Sequence, residues 1–430
     1  MGNNGNTGNS SESWSRRVRE CRACGSTDWQ NVVSLGEVPL ANGFLEPGLS
    51  YDDEPRFPLD MISCRGCRLL SLTHVVDPAV LFREYLYVTS PSDTMKRHMR
   101  RVADLCEERF GIPAGSLVVE LGSNTGEQLA AFQDDRMRVL GVDPARDLAA
   151  LACERGVSTL PEFFSATSAG HIREEHGPAR LVLGRHVFAH IDDIADVAAG
   201  VRRLLRSDGV FAIEVPYALD MLERNEFDTI YHEHLSYFMV DTLAAFFARH
   251  GLRVVDVEHL GVHGGSVLVF VGHQDGPWPT RPVVDQMREK EHRAGLHEDA
   301  TYSGFAQAVG ETREALARLV GELRAEGRRI AGYGAPAKGN TLLTTCGLGH
   351  HQLEFCTDTT ELKQGKVLPG THVPVRSPSY GREHPPDYYL LLAWNYSEEI
   401  FRKERDYLAA GGRFIVPIPR PRVVTASSVN

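Results

Sequence analysis

Short apolar runs alternate with stretches in which apolar positions recur every three or four residues, and this alternation occupies two separate parts of the chain. In the first part, "LVVELG" (117–122) reads as a buried strand, "SNTGEQLAAFQ" as a turn entering a helix, and "RVLGVDPA" as a second strand. Further strands are predicted at "ARLVLGRHVFAHI" and "GVFAIEVP", separated by the helical segment "DDIADVAAGVRRLLRSDG". Residues 281–328, notably "GFAQAVGETREALARLVGELRAEGRR", repeat apolar positions at helical spacing and read as a connector. The alternation then restarts with "RRIAGYGAPAKGNTLL", "LEFCTD", "HVPVRSP", "PDYYLLLAWNY" and "GRFIVPIP". Strand and helix in turn predict an α/β fold with two doubly wound sheets, each binding ligand beyond the carboxyl ends of its strands.

Composition narrows the partners. The 430 residues carry a formal charge of -11, which repels phosphate backbones and excludes nucleic acid as the default ligand. No apolar run approaches the ~20 residues that cross a bilayer, so no membrane association is expected. The opening "MGNNGNTGNSSES" lacks the basic start and apolar core of a secretory signal, and Asn6 stands where myristoylation needs Ser or Thr. Residues 1–15 therefore read as a disordered tail. Four of the eight cysteines form two CxxC pairs, Cys21/Cys24 and Cys64/Cys67, which points to a reduced cytoplasmic protein that holds metal. Each pair closes a turn that aims two thiolates at one point, and four of them complete a closed, structural zinc site.

Both sheets begin with a glycine turn. After "LVVELG", residues Gly122, Ser123, Asn124 and Gly126 precede a helix, placing backbone N–H groups beside a ligand. Asp143 ends the next strand 23 residues beyond Glu120, the distance at which a Rossmann-type unit sets a carboxylate on ribose hydroxyls. The second turn runs from Gly334 and Ala335 through Lys338 and Gly339 to Asn340. It misses the ATP-hydrolysing pattern because Asn340 and Thr341 follow Gly339 where Lys then Ser or Thr are needed, yet it still suits a diphosphate.

The densest chemistry is "YHEHLSYF" (231–238), open at this point to three readings: a metal site, an acid/base catalyst, or a polar surface loop. His232 and His234 share a face only in a strand, and the HExxH pattern fails at Ser236.

Taken in order, the two CxxC pairs, "LFREYLYVTSPS", "VELGSNTG", "HVFAHI", "FDTIYHEHLSYF", "HGGS", "GYGAPAKGNTLL" and "PDYYLLLAWNY" resemble the zinc-containing, S-adenosylmethionine (SAM)-dependent C-methyltransferases of deoxysugar biosynthesis, such as that of the tetronitrose pathway. The Glu120-x-Gly122-x-x-x-Gly126 spacing is similar to the first motif of class I SAM methyltransferases. The resemblance implies a zinc-binding domain over 16–75, a SAM-binding domain over 76–280, the helical connector over 281–328 and a Rossmann-like nucleotide-sugar domain over 329–430. It also implies C-methylation of a nucleotide-linked, dTDP-type 4-keto-6-deoxysugar at C3 in antibiotic biosynthesis, with C5, O- or N-methylation as the alternative.

Carried over position by position, the resemblance makes His234 the base, has Glu233 tune a neighbour and Tyr231 bond the C4 oxygen, and adds Tyr85 as a further active-site tyrosine. The cofactor set is Glu120, Gly122, Ser123, Asn124, Gly126, Asp143 and His190. The sugar nucleotide is expected at Gly334, Ala335, Lys338, Asn340, Asp358, Trp394 and Asn395. Two departures stand out: Gly122-Ser123-Asn124-Thr125-Gly126 differs from the usual "ASNDG", and Leu268 replaces an arginine, bringing into question one polar contact of the site. Oligomeric state is not legible.

Overall fold

A computed structural model describes residues 14–81, 93–261 and 264–429. Near the N-terminus, strands Trp29–Val38, Phe57–Cys64 and Leu70–Leu72 form an antiparallel sheet. Its fourth strand, Ser236–Tyr237, arrives from the middle of the chain and pairs with Leu70–Leu72.

The central sheet has seven strands in the order Leu252–Leu260, Ser266–His273, Leu205–Pro216, Ala179–Arg185, Leu117–Leu121, Arg138–Val142, Thr159–Leu160. The last five are parallel, and Ser266–His273 runs antiparallel to both neighbours. Every residue of Leu117–Leu121 is buried, as a strand covered on both faces requires. Helix Asp93–Phe110 covers one face through Val102, Ala103 and Cys106. Helix Ile194–Leu204 covers the other through Ile194, Val197, Ala198, Val201 and Leu204, a spacing of three and four that makes one apolar stripe.

The expected strand "ARLVLGRHVFAHI" ends at Arg185, because His186 takes a φ of 53° and Phe188–His190 turns as a short 3-10 helix. Leu205, expected in a helix, instead opens the strand Leu205–Pro216.

Helix Asp299–Ala325 buries Tyr302, Phe305, Val309, Leu316 and Val320 along one side. It touches all three parts of the chain: Asp299 pairs with Arg65 and Arg68, Thr312 accepts from Asn225, and Arg313 donates to the Thr345 carbonyl. The C-terminal sheet follows in the order Val375–Arg376, Cys356–Thr357, Ile330–Tyr333, Tyr388–Leu391, Arg413–Val416, Arg422–Val424, with only the last strand antiparallel. Among the described residues no helix is long and apolar enough to cross a membrane.

Candidate active site

The four cysteine sulfurs lie within 4.8 Å of one another, with Cys21–Cys67 and Cys24–Cys64 both at 3.5 Å. A tetrahedron with Zn–S near 2.3 Å has S···S edges of roughly 3.8 Å, so the set fits a closed zinc site. The Cys21 thiol is pulled down to about 5 by its contact with Cys67, against the opposing effect of burial. Burial pushes Cys64 up to about 11, and contact with Cys21 raises Cys67 far above an ordinary thiol. A bound zinc ion would deprotonate all four and balance their charge.

At the first glycine turn the backbone is left-handed at Gly122, Asn124 and Gly126, with φ of 64°, 50° and 84°. A Cβ on Gly122 would stand 2.8 Å from Val187 Cγ2, and one on Gly126 2.9 Å from Val157 Cβ, so neither position has room for a side chain. Asp143 clamps this turn: its Oδ2 accepts from the Asn124 amide at 2.8 Å and its Oδ1 from the Ala145 amide at 2.9 Å. Each oxygen keeps one lone pair for a ligand. Beside the turn, Glu120 Oε2 and Ser123 Oγ are buried without a partner among the described residues, and burial lifts the Glu120 carboxyl to about 8. Unsatisfied polar atoms at a strand end are what a polar cofactor completes.

A third carboxylate here escaped the sequence reading. Glu214, fully buried near the end of its strand, contacts His98 Nε2 at 2.9 Å, His186 Nε2 at 3.1 Å and Arg185 Nε at 3.2 Å. Burial pushes its carboxyl up, but His186, His98 and Arg185 outweigh this and hold it well below the usual range. The available signal was a lone acid inside the apolar run "VFAIEVP". Leu268 is Glu214's cross-strand partner and packs with Ala212 and Phe270 in the core, so the missing arginine changes a buried sheet position.

The "HEH" of this stretch is buried and Tyr231 half-buried, which rejects the surface-loop reading: His232, Glu233 and His234 are 2%, 5% and 6% exposed. The metal reading fails on geometry. His232 turns to the N-terminal sheet, Nε2 3.3 Å from the Phe57 carbonyl, while His234 turns to His190, with ring centroids 5.0 Å apart. Among the described residues only the four cysteines cluster as metal ligands.

His234 Nδ1 lies 2.9 Å from the Thr229 carbonyl, which can only accept, so Nδ1 carries the proton and Nε2 holds a lone pair. The Tyr231 hydroxyl stands 2.8 Å from that lone pair and donates to it. Burial, reinforced by neighbouring His190, holds His234 well below the ordinary histidine range, so it is neutral. His190 is likewise pulled down to about 4 by burial. Glu233 Oε1 accepts from Asn42 at 2.7 Å. Tyr85 lies outside the described residues.

The C-terminal glycine turn faces the same segment. Gly334 has a φ of 87°, and Asp358 repeats the role of Asp143, accepting from the Ala335 and Thr360 amides at 2.8 Å each. Lys338 Nζ sits 3.7 Å from Glu226 Oε2 and 5.3 Å above the Trp394 ring, whose Nε1 donates to Asp228 at 2.6 Å. Asn340 donates to the Ala41 carbonyl, and Asn395 is half-buried beside Trp394. Lys338, Asp358, Trp394 and Asn340 thus all hold protein groups.

Three family models match the chain in succession: a zinc binding domain over residues 21–82, a methyltransferase domain over 95–257 and a C-methyltransferase C-terminal domain over 261–419. The C-methyltransferase NovU of Streptomyces niveus is 50% identical over 413 residues, 96% of this chain and 98% of that one. Among solved structures, a SAM-dependent methyltransferase from Anabaena variabilis aligns with a TM-score of 0.34 at 15% identity, covering 41% of this chain and 86% of its own. The glycopeptide N-methyltransferase MtfA, complexed with SAM, aligns with a TM-score of 0.32 at 13% identity, covering 41% and 93%. The full-length identity and the ordered succession of matched domains, laid over a four-thiolate centre and a methyltransferase sheet, make this chain a member of the zinc-containing, SAM-dependent C-methyltransferase family.

Proposed function

We propose that this enzyme methylates C3 of a dTDP-linked 4-keto-6-deoxysugar, with His234 as the base. The supporting observation is the state of His234: buried, neutral, its tautomer fixed by Thr229 and its Nε2 lone pair facing Tyr231. A sugar carbon becomes nucleophilic only after losing a proton, and a ketone at C4 makes the proton on C3 removable. A neutral imidazole is the side chain suited to take it. The Tyr231 hydroxyl, turned from Nε2 to the C4 oxygen, frees the base and donates to the enolate as its charge develops. SAM supplies the electrophilic methyl group, held at the Glu120–Gly126 turn, Asp143 and His190. Glu233, fixed by Asn42, orients the segment, and the nucleotide lies against the Gly334–Asn340 turn, Asp358, Trp394 and Asn395. In this reading Lys338 exchanges Glu226 for a phosphate oxygen when the nucleotide arrives.

Mass spectrometry after incubation with SAM and a panel of dTDP-4-keto-6-deoxysugars in deuterated buffer tests this. The expected result is a product one methylene heavier when SAM is present and, in parallel incubations without SAM, solvent exchange at the carbon beside the ketone of the unmethylated sugar in wild type and none in His234→Asn. Methylation with SAM, but no carbon exchange in its absence, would instead indicate an oxygen or nitrogen acceptor.

A further inference from the structure

Arg22 sits between the two cysteines of the first zinc knuckle, and its side chain is only 4% exposed. It reaches into the gap between the two loops that carry His190 and His234. Its Nε donates to Asp192 Oδ1 at 3.1 Å, two residues beyond His190. Its Nη1 donates to the Leu235 carbonyl at 3.0 Å, one residue beyond His234, and to Ser71 Oγ at 3.0 Å. The Leu235 carbonyl also accepts from the Leu72 amide at 3.1 Å, so both of its lone pairs are used. One guanidinium therefore spans two chain segments whose histidine rings meet at 5.0 Å.

We propose that Arg22 is a positioning residue for methyl transfer: it holds the His190 and His234 loops in register, and the zinc knuckle serves to hold Arg22. A guanidinium presents donors in a rigid planar fork, so fixing its base fixes the direction of every bond it makes. Cys21 lies one residue before Arg22 and Cys24 two residues after it, so a bound zinc would anchor the backbone on both sides of it. The second knuckle reaches the same place by another path. Its hairpin carries Leu70–Leu72, which pairs with Ser236–Tyr237 just after His234. The proposal rests on His234 as the base, and its test separates the two ideas.

Arg22→Met and Arg22→Lys are compared with two references. His234→Asn removes the base, and Arg249→Ala removes a hydrogen bond to the Ala23 carbonyl of the same knuckle without touching either histidine loop. Zinc content, hydrogen–deuterium exchange over 186–193 and 229–238, and steady-state kinetics with the sugar methylated in the panel are read for each. Arg22→Met is expected to keep its zinc, to exchange faster in both loops, and to lose kcat about ten- to hundred-fold at nearly unchanged KM, because a misplacement on the order of 1 Å costs up to ~10²-fold. Arg22→Lys should recover part of the loss, and Arg249→Ala should match wild type.

Unchanged kcat and loop exchange in Arg22→Met, beside an inactive His234→Asn, would overturn the proposal, as would Arg249→Ala falling as far as Arg22→Met. Should His234→Asn keep wild-type turnover, the base assignment fails, and the exchange data alone decide whether Arg22 holds the loops. If Arg22→Met loses zinc, Asp192→Ala carries the test from the other end, read against Arg16→Ala because Arg16 also pairs with Asp192; faster exchange over 186–193 and lower kcat are expected in Asp192→Ala beyond any change in Arg16→Ala.

Discussion

Glu226→Gln should remove an alkaline weakness from the joint between the methyltransferase sheet and the C-terminal domain. Glu226 is 4% exposed, and its Oε1 has no partner among the described residues. The Lys338 ammonium approaches Oε2 at 3.7 Å, too far for a direct hydrogen bond. Burial lifts the carboxyl to about 8; Lys338 offsets this in part and Asp228 adds to it. An unfolded glutamate releases its proton near ~4.3, so between that pH and about 8 the folded chain holds a proton the unfolded chain has lost. Stability therefore falls as pH rises through this window, by up to ~1.4 kcal/mol per unit. Integrated from pH 5.5 to pH 8, the contribution is about 3 kcal/mol. Glutamine keeps the shape and does not titrate. Urea denaturation of wild type and Glu226→Gln, paired across that range, should show wild type losing stability relative to the variant as pH rises. Parallel curves would refute the reasoning and mean that the buried carboxylate is solvated or paired better than the structure shows.

Three further outcomes follow from the site. His234→Asn should lower kcat by about 10²–10⁴-fold with SAM affinity retained, the range a general base contributes; isothermal titration alongside kinetics checks both halves. His234 and His190 are held below the ordinary histidine range, and the proposed mechanism uses both neutral, so kcat/KM should stay level as pH falls through 6.5 and decline only at more acid values. A decline centred at 6.5 would contradict the burial argument. Trp394→Phe leaves buried Asp228 without its donor at 2.6 Å and should cost about 1–3 kcal/mol, measurable as a lower denaturation midpoint.

The features legible in the sequence are those whose physics is local. A CxxC pair closes its own turn, and the glycines at 122, 126 and 334 announce left-handed backbone where a strand enters a helix. These positioned both sheets and the zinc centre. The partners chosen across the fold were hidden, because each depends on distant segments. Trp394 meets Asp228 across 166 positions, and Arg22 meets Leu235 across 213. Asp143 and Asp358 read as ligand carboxylates, yet each also clamps its own glycine turn, a duty no spacing rule distinguishes. Lys338 read as a phosphate contact and faces Glu226, because the acidic segment 226–228 folds against it. The Glu214 hub was missed because His98, Arg185 and His186 converge only after three elements pack.

The strand Ser236–Tyr237 has a bearing on protein engineering. It belongs by sequence to the proposed catalytic segment and by hydrogen bonding to the sheet of the zinc knuckles. The natural cut between N-terminal and central modules therefore does not fall at any single point in the chain. A chimera that takes its knuckles from one relative and its remainder from another would join a foreign sheet to a native edge strand, with His234 immediately beside the seam. Exchange of acceptor preference between relatives should work best when the knuckles and the 225–240 segment travel together as one inherited block.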